Sequence, residues 1–305
     1  MHHNDFEREE SLYEDAIAER YNRDYHSYLI MQAHDEDFSQ FVSQNYHKGD
    51  RVLDLGCGPA SLWHLWKRAL PDPSQIVGVD LSEGMIKECE KMFPEDDFRV
   101  GSALKIPADS GSFDLVIVSS ILHHIPDEFL PDAFKEINRV LDEHGVVVGR
   151  EPVSKGRLGD EPGWFSGAIM SFRHLVYRLT HTREYPEPAI GDYHHAYIPT
   201  EFLKLLSHSF SPKGVILKHP VSSYVLRSNN TLVAKIARLL DNSIGFGGHE
   251  FYYSASKNYY DSGDVMDCIE KELNTILDPD KKIEFMALLQ KSAELLEREL
   301  NTENG

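Results

Sequence analysis

A strand-and-helix rhythm constrains this chain more than any other feature. Between residues 51 and 150, short apolar runs alternate with helix-length stretches. Arg51–Leu55, Ile76–Val79, Phe98–Val100, Phe113–Val118 and Gly145–Gly149 read as strands. Ala60–Leu70, Glu83–Phe93 and Asp127–Leu141 read as helices, the first two stopped by Pro71 and Pro94. A chain of this pattern folds as an α/β protein, a Rossmann-like doubly wound, mostly parallel sheet with right-handed crossovers.

Outside that stretch the rhythm breaks. Residues 9–45 read as helix, with Tyr13, Ile17, Tyr21, Tyr25, Tyr28 and Leu29 on one face. Trp164–Leu179 and Thr200–Phe210 are further helices, Thr200 serving as the N-cap of the second. Val215–Lys218, Tyr224–Leu226 and Phe251–Ser256 are strand candidates that would close one sheet edge. Asp264–Leu277 and Asp280–Leu300 are amphipathic helices, parted by Asp278-Pro279. The fold therefore carries helical additions at both ends. The terminal pair is either a cap or a homodimer contact.

Charge follows the same division. The formal net charge is −19, with −8 in residues 1–40 and −7 in residues 261–305. A surface this acidic repels phosphate backbones and anionic lipids, so neither nucleic acid nor a membrane is the expected partner. The first ten residues are polar and acidic, no apolar run approaches bilayer length, and the three cysteines do not form a disulfide framework. A cytoplasmic location is expected.

The informative stretch is Val52-Leu-Asp-Leu-Gly-Cys-Gly-Pro59, a strand running into two glycines and then a helix. Glycines there let the backbone turn sharply and let a ligand come close, at the crevice beyond the strand ends. Asp54 lies beside the turn, and Asp80 ends the next strand 24 residues after Gly56, placed to accept two ribose hydroxyls. Ser61 stands where a dinucleotide fingerprint has its third glycine. With an acid where a pyrophosphate would lie, a nicotinamide or flavin dinucleotide is disfavoured. A nucleoside with a cationic or zwitterionic tail is favoured.

These motifs resemble those of the class I S-adenosylmethionine-dependent methyltransferases. Val52–Gly58 looks like their first motif and Val77–Met85 like their second. Leu104–Pro107 through Gly111–His124 resembles the segment around their fourth strand, and Leu141–Val148 the approach to the fifth. The resemblance covers about 45–150 in order. It implies S-adenosyl-L-methionine as cofactor, S-adenosyl-L-homocysteine as product, and a small-molecule acceptor. It further implies that Gly56, Cys57 and Gly58 line the methionine part and that Asp54 sits near its ammonium. Asp80 would hold the ribose, Leu81 would pack on adenine, and the Ala103 backbone would serve adenine. Ser102 stands where the family often has an acid. Ser119 would offer its carbonyl to the ammonium. Tyr21 would close over the methionine end, or else belong to a Tyr stripe packed on the domain.

The implied layout is a helical cap over the cofactor site (1–45), a methyltransferase domain (46–260) with a substrate lid at about 151–198, and the terminal helical pair (261–305). The expected activity is methyl transfer to an O or N atom. Such an acceptor needs a base, and His123 and His124 follow the fourth strand where one would act. The alternative for this pair is packing against the cofactor or backbone. Asp192-Tyr193-His194-His195 is the second candidate, His195 as base and Tyr193 and His194 as substrate contacts. Glu151 would touch substrate or cap its loop. Arg173, with Arg178 and Arg183, gives the lid a basic face that would favour an acidic or phosphorylated acceptor; pairing with the acidic terminal helices is the alternative. No recognised metal-ligand spacing is present, so no metal is expected. Two other readings stand beside this one: a protein of the same fold using the cofactor for other chemistry, and a non-catalytic binding or scaffold protein.

Overall fold

In the computed structural model, the described residues are 3–25, 28–153, 196–219, 221–222, 229–243 and 250–257, with helical positions scattered over 168–179 and 287–298. The N-terminal segment forms two helices, α1 (His3–Tyr25) and α2 (Leu29–Ser43), rather than the single helix expected. Tyr28 is extended at φ −92° and ψ 137°, which ends any continuous helical path. Then follow β1 (Arg51–Leu55), α3 (Trp63–Ala69), β2 (Gln75–Asp80), α4 (Glu83–Met92), β3 (Asp97–Val100) and β4 (Phe113–Ser119). A 3-10 turn (Leu122–His124) leads to α5 (Leu130–Val140) and β5 (Leu141–Pro152). The remaining elements are α6 (Pro199–Leu206), β6 (Ser211–Lys218), α7 (Thr231–Ser243) and β7 (Glu250–Ser256).

The seven strands form one sheet in the order β3-β2-β1-β4-β5-β7-β6. The first five are parallel; β7 runs antiparallel to β5, and β6 antiparallel to β7. The doubly wound sheet is as expected, and β6 and β7 close one edge. Strand order reverses between β1 and β4, the switch point where ligands bind in such sheets. β4 is buried on both faces because helices cover both sides of the sheet. Leu53, Val116, Phe134 and Phe202 pack on one face, and Val52, Ile117, Phe38, Trp63 and Trp66 on the other.

Local chemistry explains several boundaries. Ala60 has φ +54°, so the helix expected from there starts at Trp63. Ser82 caps α4 by accepting the Met85 N–H at 3.0 Å. The helix expected from Thr200 starts at Pro199, with Ile198 in the capping position and no side-chain cap. α7 was not anticipated. Asn230 accepts the N–H groups of Leu232 (2.9 Å) and Val233 (3.1 Å) and starts it. The described positions of the 164–179 and 280–300 stretches are helical. Tyr224–Leu226 and 264–277 lie outside the described residues. No helix among the described residues is long and apolar enough to cross a membrane.

Candidate functional site

A cavity of about 280 Å³ opens over the carboxyl ends of β1, β2 and β4. Its floor is the turn after β1. Gly56 and Gly58 hold φ of +72° and +52°, conformations that favour glycine. The N–H groups of Gly56 and Cys57 both donate to the Val79 carbonyl, at 2.7 and 3.1 Å, which ties the turn to β2. Gly58 donates to Asp80 Oδ2 and Ser82 to Asp80 Oδ1, each at 2.9 Å. A carboxylate has about four lone-pair positions, so Asp80 retains capacity for two more donors. Burial pushes its carboxyl above the usual range, and these two N–H groups pull it back. Asp54 is buried beneath the turn and accepts the Trp66 indole N–H at 2.7 Å. Burial lifts its carboxyl to about 7, against the Trp66 hydrogen bond and with Asp80 adding repulsion.

Helix α1 covers one side of the cavity. Asp15 accepts the Ser82 hydroxyl at 2.5 Å and the Gly84 N–H at 2.8 Å. Asn22 accepts the Ser61 hydroxyl at 2.6 Å, and Ile17 and Ala18 pack on Met85. Phe6, Glu10, Glu14 and Tyr21 thereby reach the cavity wall. Glu14 is lifted to about 8, chiefly by burial, then by the charges of Asp80, Glu10 and Asp15. Leu81, Ser102, Ala103 and Ser119 also line the cavity. The Ser102 hydroxyl accepts the Leu104 N–H at 2.9 Å, and the Ser119 hydroxyl accepts Arg150 Nε at 2.9 Å.

The two histidines after β4 part company. His124 lines the cavity, with Nδ1 2.7 Å from Glu10 Oε1. His123 is not among the lining residues; its Nδ1 lies 2.8 Å from Glu151 Oε2. Glu151, a candidate substrate contact by sequence, is fully buried below the turn and is not among the lining residues either. It accepts the backbone N–H groups of Ile121, Leu122 and His123 at 3.3, 3.0 and 3.3 Å, the loop-capping alternative. Its carboxylate is taken up by the turn and by His123. Arg173, Tyr193, His194 and His195 lie outside the described residues.

Beyond Ser119 the cavity wall is built from residues that the sequence did not single out: Met31, His34 and Asp35 on α2, Arg150 on β5 and Glu250 on β7. These residues are far apart in sequence and carry no local motif, so only the fold brings them together. Two trios, His34–His219–Glu250 and Glu10–Glu14–His124, each bring ligand-type atoms within 4.8 Å of one another. They too come from separate elements, which is why no spacing announced them.

The donor set suits a nucleoside bearing a positive charge. Asp80 offers oxygens to vicinal hydroxyls, and the glycine turn admits close approach. Residues 52–145 match the family described as a methyltransferase domain. That match takes in the glycine turn and the strands β2 to β4. Among curated relatives, demethylmenaquinone methyltransferase of Staphylococcus carnosus is 34% identical over 109 residues, 35% of this chain and 44% of that protein. The chain thus spans less than half the length of such relatives. A crystal structure of the PH0226 protein from Pyrococcus horikoshii is similar at TM-score 0.51 and 19% identity, covering 78% of this chain and 99% of that one. Geranyl diphosphate C-methyltransferase from Streptomyces coelicolor is similar at TM-score 0.50 and 16% identity, covering 75% and 77%. At these identities the likeness to solved structures is one of fold. The matched segment holds the glycine turn, β2, β3, β4 and the start of β5, while α1, α2, α6, α7, β6 and β7 lie outside it.

Proposed function

We propose that this protein is an S-adenosylmethionine-dependent methyltransferase that moves a methyl group to an O or N atom of a small-molecule acceptor. The observation that carries the proposal is Asp80, which ends β2, lines the cavity and braces the glycine turn through Oδ2. The relatives named as demethylmenaquinone methyltransferases share the domain. They are matched over less than half their length, so their acceptor is not carried over.

The cofactor, when bound, supplies a methyl group already activated by its sulfonium. The chain's own residues bind, orient and exclude water. Asp80 accepts the ribose hydroxyls, Leu81 flanks the adenine, and Ser102 and Ala103 border its edge. Gly56, Cys57 and Gly58 line the methionine part, with Asp54 and the Ser119 carbonyl toward its ammonium. Tyr21 and the rest of α1 roof this end and keep water out. His124 is the base for the acceptor. Glu10 on Nδ1 fixes the proton there, which makes Nε2 the basic nitrogen. His123, held by Glu151, positions the turn that carries His124.

Calorimetric titration with S-adenosylmethionine and with S-adenosylhomocysteine tests the proposal, on the wild type, Asp80→Asn and Asp80→Ala. Micromolar binding of both, lost at least tenfold in variants with native circular dichroism, is expected. No binding by the folded wild type would reduce the likeness to fold alone.

A further inference from the structure

Glu250 brings a partly orphaned carboxylate to the cavity wall. Its Oε2 is buried without a hydrogen-bond partner. His34 Nδ1 lies 3.9 Å from Oε1 and Arg150 Nη1 4.0 Å from Oε2, ion-pair contacts too long for a hydrogen bond. A buried carboxylate oxygen without a donor is rare because its desolvation is uncompensated. Burial by itself would raise this carboxyl, but His34 and Arg150 hold it well below the usual range, so it stays ionised at neutral pH.

The surrounding groups have partners of their own. Arg150 Nη2 donates to Asp35 Oδ1 at 2.7 Å, Nε donates to Ser119, and the guanidinium lies 4.8 Å over the Phe38 ring. His34 Nε2 is 2.7 Å from Ser222 Oγ, and its ring stacks on His219 at 3.4 Å. Asp241 accepts from Ser222, and Tyr252 Oη bonds His219 Nε2 at 2.8 Å. This frame holds an ionised carboxylate rigidly at the end of the cavity beyond Ser119, away from Asp80 and the adenine wall. The cavity as a whole is lined by Glu10, Glu14, Asp35, Asp54, Asp80 and Glu250 against one arginine, whose charge Asp35 already meets.

We propose that Glu250 seats a cationic amine of the acceptor, so that the protein selects amines over acids and phosphorylated compounds. This deepens the methyltransferase reading and rests on it. The amine donates N–H to Glu250, and its charge is stabilised by an ion pair that the low-dielectric wall strengthens. An acidic acceptor, the class the basic 164–183 stretch pointed to, would place its charge against Glu250.

The test uses full-length protein saturated with S-adenosylhomocysteine and two probes of matched size, 2-phenylethylamine and 3-phenylpropionate, followed by calorimetry. The expected result is at least tenfold tighter binding of the amine. Glu250→Gln is expected to lose that preference while its affinity for S-adenosylhomocysteine stays within twofold. Equal or tighter binding of the carboxylate, no binding of the amine, or a preference that survives Glu250→Gln overturns the proposal. A tenfold loss of S-adenosylhomocysteine in Glu250→Gln also overturns it, by assigning Glu250 to the cofactor. Should that variant fail to fold, the wild-type preference decides. Failure of the wild type to bind S-adenosylhomocysteine at all counts instead against the methyltransferase reading.

Discussion

His124 Nδ1 lies 2.7 Å from Glu10 Oε1, a pair 114 residues apart that joins the turn after β4 to helix α1. The pair links the roof of the cavity to its candidate base. Removing either partner therefore has a separable signature. His124→Ala is expected to lower kcat by about 10²–10⁴-fold, the range for loss of a general base, with S-adenosylmethionine affinity within about threefold. Glu10→Gln keeps the shape and is expected to cost about tenfold in kcat, less than His124→Ala. Steady-state kinetics beside calorimetry checks this. Unchanged turnover in His124→Ala would remove it from the acid–base role.

Glu14 and Glu151 are each held near 8, against 4.5 for a free glutamate, chiefly by burial. A carboxyl raised on folding stabilises the folded state below its unfolded pKa, and that stability is lost as pH rises through the folded value. Melting temperature is expected to fall between about pH 5 and 8.5. Glu14 also faces the cavity, so its ionisation favours a cation. The affinity for S-adenosylmethionine relative to S-adenosylhomocysteine, which lacks the sulfonium charge, is expected to rise by about tenfold across that window, a change worth about 1.4 kcal/mol. Glu14→Gln should flatten the ratio. A ratio independent of pH in the wild type would show that Glu14 does not sense the cofactor.

Glu151 anchors the 121–123 turn through three backbone N–H groups and His123. Glu151→Ala leaves those donors buried without partners and is expected to cost about 3 kcal/mol or more. At roughly 2–4 °C per kcal/mol for a domain this large, the melting temperature drops by about 6–12 °C. A smaller loss, under about 2 °C, would mean that the turn holds itself.

The strands were legible wherever a run was apolar enough to need burial, as at Val52–Leu55, Val77–Val79 and Leu115–Val118. The parallel, doubly wound arrangement and the glycine turn followed from the same pattern. The boundaries were less visible because they depend on single residues in unusual conformations, such as Ala60, or on Asn230, whose side chain starts α7. The residues expected to hold the cofactor, Tyr21 apart, lie in one continuous stretch from Asp54 to Ser119, and they line the cavity. The rest of the wall could not be read from any one stretch. Asp35, Arg150 and Glu250 come from α2, β5 and β7, and their juxtaposition exists only once β7 pairs with β5. Glu151 was ambiguous for the same reason: only the fold shows that the turn it caps lies between it and the cavity.

The two glycines of the β1 turn separate conformational from steric demand. Both have positive φ, so an alanine at either is expected to lose about 1–2 kcal/mol from the left-handed conformation. A Cβ at Gly58 would meet nothing within 4 Å, and no further loss is expected there. A Cβ at Gly56 would fall 2.2 Å from Cγ2 of Ile121, in the approach to the His123–His124 turn. Relieving that overlap moves the turn, adding about 1–3 kcal/mol as in overpacked cores. Gly56→Ala is therefore expected to be the less stable variant and to lose both S-adenosylhomocysteine binding and turnover. Gly58→Ala should retain measurable binding, because its N–H still reaches Asp80. Thermal melts and calorimetry on the pair check this; equal losses would show that the turn, rather than contact with Ile121, sets the requirement for glycine.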